Sequence, residues 1–142
     1  MPDCQTQDFK ESVYLRLPIS TIGMEHNYQK LSIWKRSIEF VKSIYDLTKV
    51  FPKEEKFGLV NQMRRCAISI PSNIAEGSII RSNKHFSHYL STSIGSVYEL
   101  HSQLIVSMKL EIITESQFLP LEKELFEIRN MLVVFTKKIE EA

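Results

Sequence analysis

The side chains of this protein that could do chemistry are few, and their spacing gives them little to work with. His85 and His88 stand three residues apart, an offset at which one helix face can present two imidazoles to a metal ion. No cysteine or carboxylate sits at a matching offset, and no Glu-x-x-His pair recurs on a second segment as a helix-bundle metal site requires. Both histidines read as surface or partly buried residues, so no metal and no cofactor is expected. Ser69, Ser72, Glu76 and His101 could supply a hydroxyl nucleophile, a base and an orienting group, but there is no strand-turn-helix elbow to present such a serine. A glycine-rich phosphate loop is also missing. Cys4 and Cys66 lack metal-ligand spacing and read as free thiols in a reducing cytoplasm. No catalytic residue is expected, and the chain does not read as an enzyme.

Whatever these residues do, helices must carry them. The length of 142 residues suits one domain, and a hydrophobic fraction of 43% is enough to build a core. Only 4 Gly and 5 Pro occur, too few for a loop-rich all-β domain. No apolar run is long enough to cross a bilayer, and no signal-peptide pattern opens the chain. Residues 1–23 hold no sustained helical period and contain Pro2, Pro18 and Gly23. Met24 stands directly before the first strong helical pattern and reads as an alternative start. The expected organisation is a flexible extension over 1–26 and one helical domain over 27–142.

The periodicity predicts four helices. The first, from about Lys30 to Val50, has Leu31, Trp34, Ile38, Val41 and Tyr45 on one face, widened by Ile33, Phe40, Ile44 and Leu47. Core packing is the expected role of Trp34. Phe51-Pro52 breaks this helix, and Pro52 opens the next, from about Lys53 to Glu76. Its apolar stripe is Val60, Met63, Ala67, Ile70 and Ile74; a polar stripe of Gln62, Arg65, Ser69, Asn73 and Glu76 runs beside it. Pro71 should kink this helix near Ala67, and Gly77 should end it. The third, about Asn83 to Leu110 with Ser82 as cap, buries Phe86, Leu90, Val97, Leu100 and Leu104. Its small residues Ser91, Thr92, Ser93, Gly95 and Ser96 suggest a close helix–helix approach. The fourth opens on the capping box Thr114-Glu115-Ser116-Gln117, with a bend expected at Pro120, and buries Leu121, Leu125, Ile128, Leu132, Phe135 and Ile139. Short connections make successive helices antiparallel, so the expected fold is all-α, an up-down-up-down four-helix bundle. Leu119, Phe126 and Val133 form a second apolar row that one bundle face does not need. Together with Gly95 they are the expected interface of a homo-oligomer.

Residues 58–77 read Gly-Leu-Val-Asn-Gln-Met-Arg-Arg-Cys-Ala-Ile-Ser-Ile-Pro-Ser-Asn-Ile-Ala-Glu-Gly, and their last nine are the most specific part. This segment resembles the signature of the bacterial four-helix bundle family first known from proteins encoded in 23S ribosomal RNA intervening sequences. Trp34, Phe51-Pro52 with Glu55, and Gly95-Ser96 with Glu99 add to the likeness, which covers about residues 27–140. The resemblance implies a ring-like homopentamer and relatedness to the accessory proteins of diversity-generating retroelements, basic pentamers that bind a reverse transcriptase and nucleic acid. In the residues themselves, Gln62, Ser69, Asn73, Glu76 and Glu99 read as a polar network. If buried, it must satisfy its own hydrogen bonds and fix helix register; a ligand or partner site is the alternative.

Charge bears on the partner. Residues 1–26 carry a net −2, residues 27–109 a net +6 and residues 110–142 a net −3, within a total of +1. A basic body permits a phosphate-rich partner, and a symmetric ring would multiply weak contacts. The expected partner besides a second copy is RNA or DNA, bound without sequence preference through Arg64, Arg65, Arg81 and Lys84. The alternative is a protein-interaction scaffold for a polymerase or another cellular protein. The two differ in where Lys35, Arg36, Lys42, Lys56, Arg64, Arg65, Arg81 and Lys84 lie. Clustered on a rim they favour nucleic acid; dispersed among Glu39, Asp46, Glu54 and Glu55 they favour the scaffold. No membrane partner is expected.

Overall fold

Four amphipathic segments joined by turns too short to cross the molecule must pack against their chain neighbours. The computed structural model of this protein, which describes residues 27–80 and 82–142, shows that outcome. After a 3-10 turn at Tyr28–Lys30 come α1 (Ser32–Thr48), a second 3-10 turn at Lys53–Glu55, α2 (Leu59–Ser78), α3 (Asn83–Lys109) and α4 (Glu115–Glu141). Among the described residues there is no strand. Packing follows the order α1–α2–α3–α4 and closes from α4 back to α1; it is densest between α2 and α3 and sparsest across the α1–α4 seam. On that seam Arg36 of α1 pairs with Glu127 of α4. The hydrogen bond from Arg36 holds the Glu127 carboxyl below the usual carboxylate range, although the group is exposed and adds little stability. The expected extension over 1–26 lies outside the described residues.

Local signals set most of the boundaries. Thr114 Oγ1 accepts from Gln117 N at 3.2 Å and Gln117 Oε1 accepts from Thr114 N at 2.9 Å, the reciprocal capping box that the sequence predicts. Ser82 Oγ accepts from His85 N at 3.4 Å and caps α3. The end of α3 is closed by two backbone bonds, Ile112 N to Ser107 O at 2.9 Å and Glu111 N to Met108 O at 3.0 Å. Glu111 takes the left-handed conformation this closure needs, with φ 59°. Helix α2 begins at Leu59, later than expected, because Lys53–Glu55 form their own turn. Gly77 does not end it, and both Pro71 and Pro120 lie inside continuous helices.

The core stripes of α2 and α3 are buried as their periodicity predicts, and so are Leu125, Ile128, Leu132 and Ile139 of α4. Leu121 and Phe135 are half-buried. Helix α1 requires a correction. Its deep row is Ile33, Ser37, Phe40, Ile44 and Thr48, while Leu31, Trp34, Val41 and Tyr45 are only half-buried and Ile38 is 38% exposed. Two hydroxyl residues fit the core row because each bonds its own helix: Ser37 Oγ donates to Trp34 O at 2.7 Å and Thr48 Oγ1 to Ile44 O at 2.8 Å. With their polar groups satisfied they pack as small residues, and a pattern counted in apolar letters misses them.

The close approach of helices is real but sits elsewhere than expected. A Cβ on Gly77 would lie 2.7 Å from Phe86 Cδ2 and 2.8 Å from Tyr89 Cβ, so α3 presses directly on the α2 backbone there. Farther along, Ser93 Oγ donates to Ile70 O at 2.8 Å and the Cys66 thiol to Ser96 O at 3.1 Å, which holds α2 and α3 together. Gly95 is exposed, and a Cβ there would meet nothing within 4 Å, so contact within the chain does not explain it. Opposite effects of one substitution follow. Gly77→Ala should destabilise the fold by about 1–3 kcal/mol through overpacking. Gly95→Ala should stabilise the isolated chain by about 0.5–1 kcal/mol, since it only removes the entropic cost of a helical glycine. Urea unfolding of the two variants checks both signs.

Candidate assembly and binding surfaces

The half-buried row of α1 has a partner across the groove to α2. The Arg64 guanidinium lies over the Tyr45 ring at 4.5 Å, and its Nε donates to Thr48 Oγ1 at 2.9 Å. Trp34 and Ile38 share the face of Tyr45; Ile68, one turn beyond Arg64, is 41% exposed. Tyr28 meets Trp34 edge-on at 5.2 Å. This α1/α2 groove is an apolar strip with one tethered guanidinium.

A second apolar strip follows the α3/α4 groove. There Tyr98 is 51% exposed, Leu119 50% and Val133 37%, with the half-buried Phe126 between the last two. His101 Nε2 lies 2.8 Å from Glu122 Oε2, and its ring packs at a tilt against Phe126 at 4.6 Å; Arg129 covers the same Phe126 ring at 4.4 Å. The expected interface residues Leu119, Phe126 and Val133 therefore share one surface. Gly95 does not join them: it lies on the outer face of α3, opposite its buried row.

The α2/α3 groove is polar. Asn73 Nδ2 donates to Ser69 O at 2.7 Å, and the Ser69 hydroxyl reaches both Cys66 O at 2.8 Å and the Ser96 hydroxyl of α3. Gln103 Nε2 approaches Glu99 Oε1 at 3.5 Å. Glu99 also bears on Cys66: burial first, and then the Glu99 carboxylate, push the thiol up to about 12. Of the predicted network, Ser69, Asn73 and Glu99 come together around Cys66 and Ser96, whereas Gln62 and Glu76 point to solvent, with no hydrogen-bond partner among the described residues. The closed five-residue buried network does not form, because the outer side of α2 faces water and not a third helix. Gln103 was not legible as a member; its i+4 spacing from Glu99 was the available signal.

The basic residues do not gather. Arg64 and Arg65 occupy the second turn of α2 and Lys84 the first turn of α3, about 20 Å apart along the bundle axis. Arg81 lies outside the described residues. Along α1 and its C-cap, Lys35, Lys42 and Lys49 alternate with Glu39 and Asp46, and Lys49 Nζ lies 3.2 Å from Asp46. His85 and His88 are both exposed, and no group of metal-ligating side chains forms among the described residues. No helix of those residues is long and apolar enough to cross a membrane.

The helices and the motif segment together invite comparison with known proteins. The sequence profile described as "23S rRNA-intervening sequence protein" matches residues 29–134. The chain belongs to this family. The fold agrees: the crystal structure of a protein of unknown function from the S23 ribosomal protein family of Bacteroides thetaiotaomicron superposes with a TM-score of 0.69 at 27% identity, covering 74% of this chain and 98% of that one. No curated protein matches. The segment that carries the family likeness faces the polar α2/α3 groove with Ser69 and Asn73 and the core with Ile70 and Ile74.

The Cys66 environment generates a prediction. A thiol whose pKa rises from 9.0 to about 12 on folding adds stability that is whole below pH 9 and is lost as the pH climbs toward 12, because the unfolded thiol ionises first. Between pH 8 and 10.5 the stability of the wild type should therefore fall more than that of Cys66→Ala, as read by urea unfolding at each pH. At pH 8 the native thiol should resist iodoacetamide until the chain unfolds.

Proposed function

We propose that this protein is a non-catalytic building block that assembles head to tail with copies of itself into a ring, which serves as a scaffold for a partner protein. The observation that carries this reading is the presence of two unlike apolar strips, in the α1/α2 and α3/α4 grooves, on opposite sides of the bundle. A single self-complementary patch would give a two-fold dimer. Two different patches facing opposite ways give a heterologous contact, which closes into a ring or runs on as a filament. Burying Ile38 and Ile68 of one copy against Tyr98, Leu119 and Val133 of the next removes apolar surface from water on both. Five copies is the number that the family resemblance implies. A cytoplasmic setting suits the free, buried Cys66 thiol.

The alternation of lysines with carboxylates on α1 favours the scaffold over a nucleic-acid rim. A second reading, weak binding of RNA or DNA, rests on Arg65 and Lys84, which are exposed and make no ion pair among the described residues. Arg64 would add its guanidinium from beside Tyr45, and Arg81 is the remaining expected contact.

Two measurements decide between these readings. Sedimentation at micromolar concentration should give a multi-subunit mass for the unsubstituted protein. Val133→Glu or Ile68→Glu should each give monomers. An equal mixture of the two variants should form a two-subunit complex and stop, because each keeps the face that the other has lost. A monomeric wild type overturns the assembly. For the second reading, labelled RNA should bind at low salt and be released on raising salt to physiological strength. Binding that is absent at low salt removes nucleic acid and leaves the scaffold.

A further inference from the structure

The α2/α3 groove has an imbalance that assembly through the other two grooves does not address. Its donors are spent inward. The Ser69 hydroxyl serves Cys66 O, the Ser96 hydroxyl reaches Thr92 O at 3.2 Å, the Asn73 amide serves Ser69 O, and the Cys66 thiol serves Ser96 O. Gln62 keeps a free amide on the exposed rim, so the donor group left inside the groove is Gln103 Nε2, which reaches Glu99 at 3.5 Å. One buried acceptor is left over, and beside it a carboxylate with lone pairs to spare. Gln103 is 8% exposed, and its buried Oε1 has no hydrogen-bond partner. Glu99, one turn away on the same side of α3, carries an exposed carboxylate with no ion pair among the described residues. A buried carbonyl oxygen without a donor is uncommon in folded proteins. A carboxylate beside it adds negative charge, so a neutral donor such as a hydroxyl would serve only half of the site.

We propose that the α2/α3 groove binds a guanidinium group between Gln103 Oε1 and the Glu99 carboxylate. A guanidinium is planar, permanently charged and rich in N–H donors, and its fork can reach a carboxylate and a carboxamide oxygen at once. Glu99 stands on the exposed rim of the groove and supplies the charged half of the contact, and the Gln103 carboxamide supplies the other half by turning its buried oxygen toward that rim. The group comes from an arginine side chain of a partner protein or from a free guanidino amine.

The test is a titration followed by NMR of the Gln103 side-chain amide. The protein is used both as the wild type and as the Val133→Glu variant, so the result does not depend on assembly. The probes are agmatine and a Gly-Arg-Gly peptide, with urea and potassium chloride at matched concentration as controls. The Gln103 amide should shift saturably with both guanidinium probes and stay still with urea and salt. Tighter binding of the peptide assigns the site to a protein partner, and tighter binding of agmatine to a free amine. Affinity should fall at least tenfold in Glu99→Gln and in Gln103→Met. The melting temperature of Gln103→Met should equal or exceed that of the wild type, since the orphan acceptor is gone, which separates lost binding from lost folding. A Gln103 amide unmoved by millimolar guanidinium probes, or unchanged affinity in both variants, overturns the proposal.

Discussion

The bundle depends on how closely α2 and α3 approach. Gly77 removes the one Cβ that would collide with Phe86, and Ser93 and Ser96 let a helix backbone and a helix side chain meet without a spacer. Short hydroxyl and thiol side chains then convert the contact into hydrogen bonds with carbonyl oxygens. Because those bonds are directional, they fix the register of α3 on α2 more sharply than apolar packing alone could. The core rows of both helices, from Met63 to Ile74 and from Phe86 to Leu104, follow from that register.

With α2 and α3 held so tightly, the outer helices pack on each side of them, and the grooves α1/α2 and α3/α4 hold aromatic rings. Trp34 and Tyr45 occupy one groove, Phe126 and His101 the other. Cationic side chains lie over rings in both, Arg64 on Tyr45 and Arg129 on Phe126. Each guanidinium covers an aromatic face while keeping its charge toward water, which leaves the neighbouring aliphatic residues as the exposed part of each strip.

Much of this architecture was legible in the chain. Thr114 and Gln117 announced the start of α4, and the stripes of α2 and α3 named their core residues. What failed was local and has physical causes. Ser37 and Thr48 entered the core of α1 because their hydroxyls bond their own carbonyls, which apolar periodicity cannot register. Gly77 looked like a helix end because glycine is common there, whereas its use is steric and depends on where Phe86 arrives. Gln103 drew no attention because its importance comes from an oxygen left unpaired in three dimensions. Gln62, Ser69, Asn73 and Glu76 formed one stripe in the sequence, but that Ser69 and Asn73 turn to the α2/α3 groove while Gln62 and Glu76 meet water is decided by the bundle and not by the segment.

The closure of α3 has a consequence for how the chain folds. The backbone and capping hydrogen bonds that close the corner between α3 and α4 join residues within six positions of one another, from Ser107 to Gln117. The corner can form before any distant contact exists and at little entropic cost of loop closure. Glu111 accepts a strained left-handed backbone to make it. The two longest helices can thus meet as a hairpin while α1 is still searching, so the order of events is written into a stretch of eleven residues that bear no part of the binding surfaces.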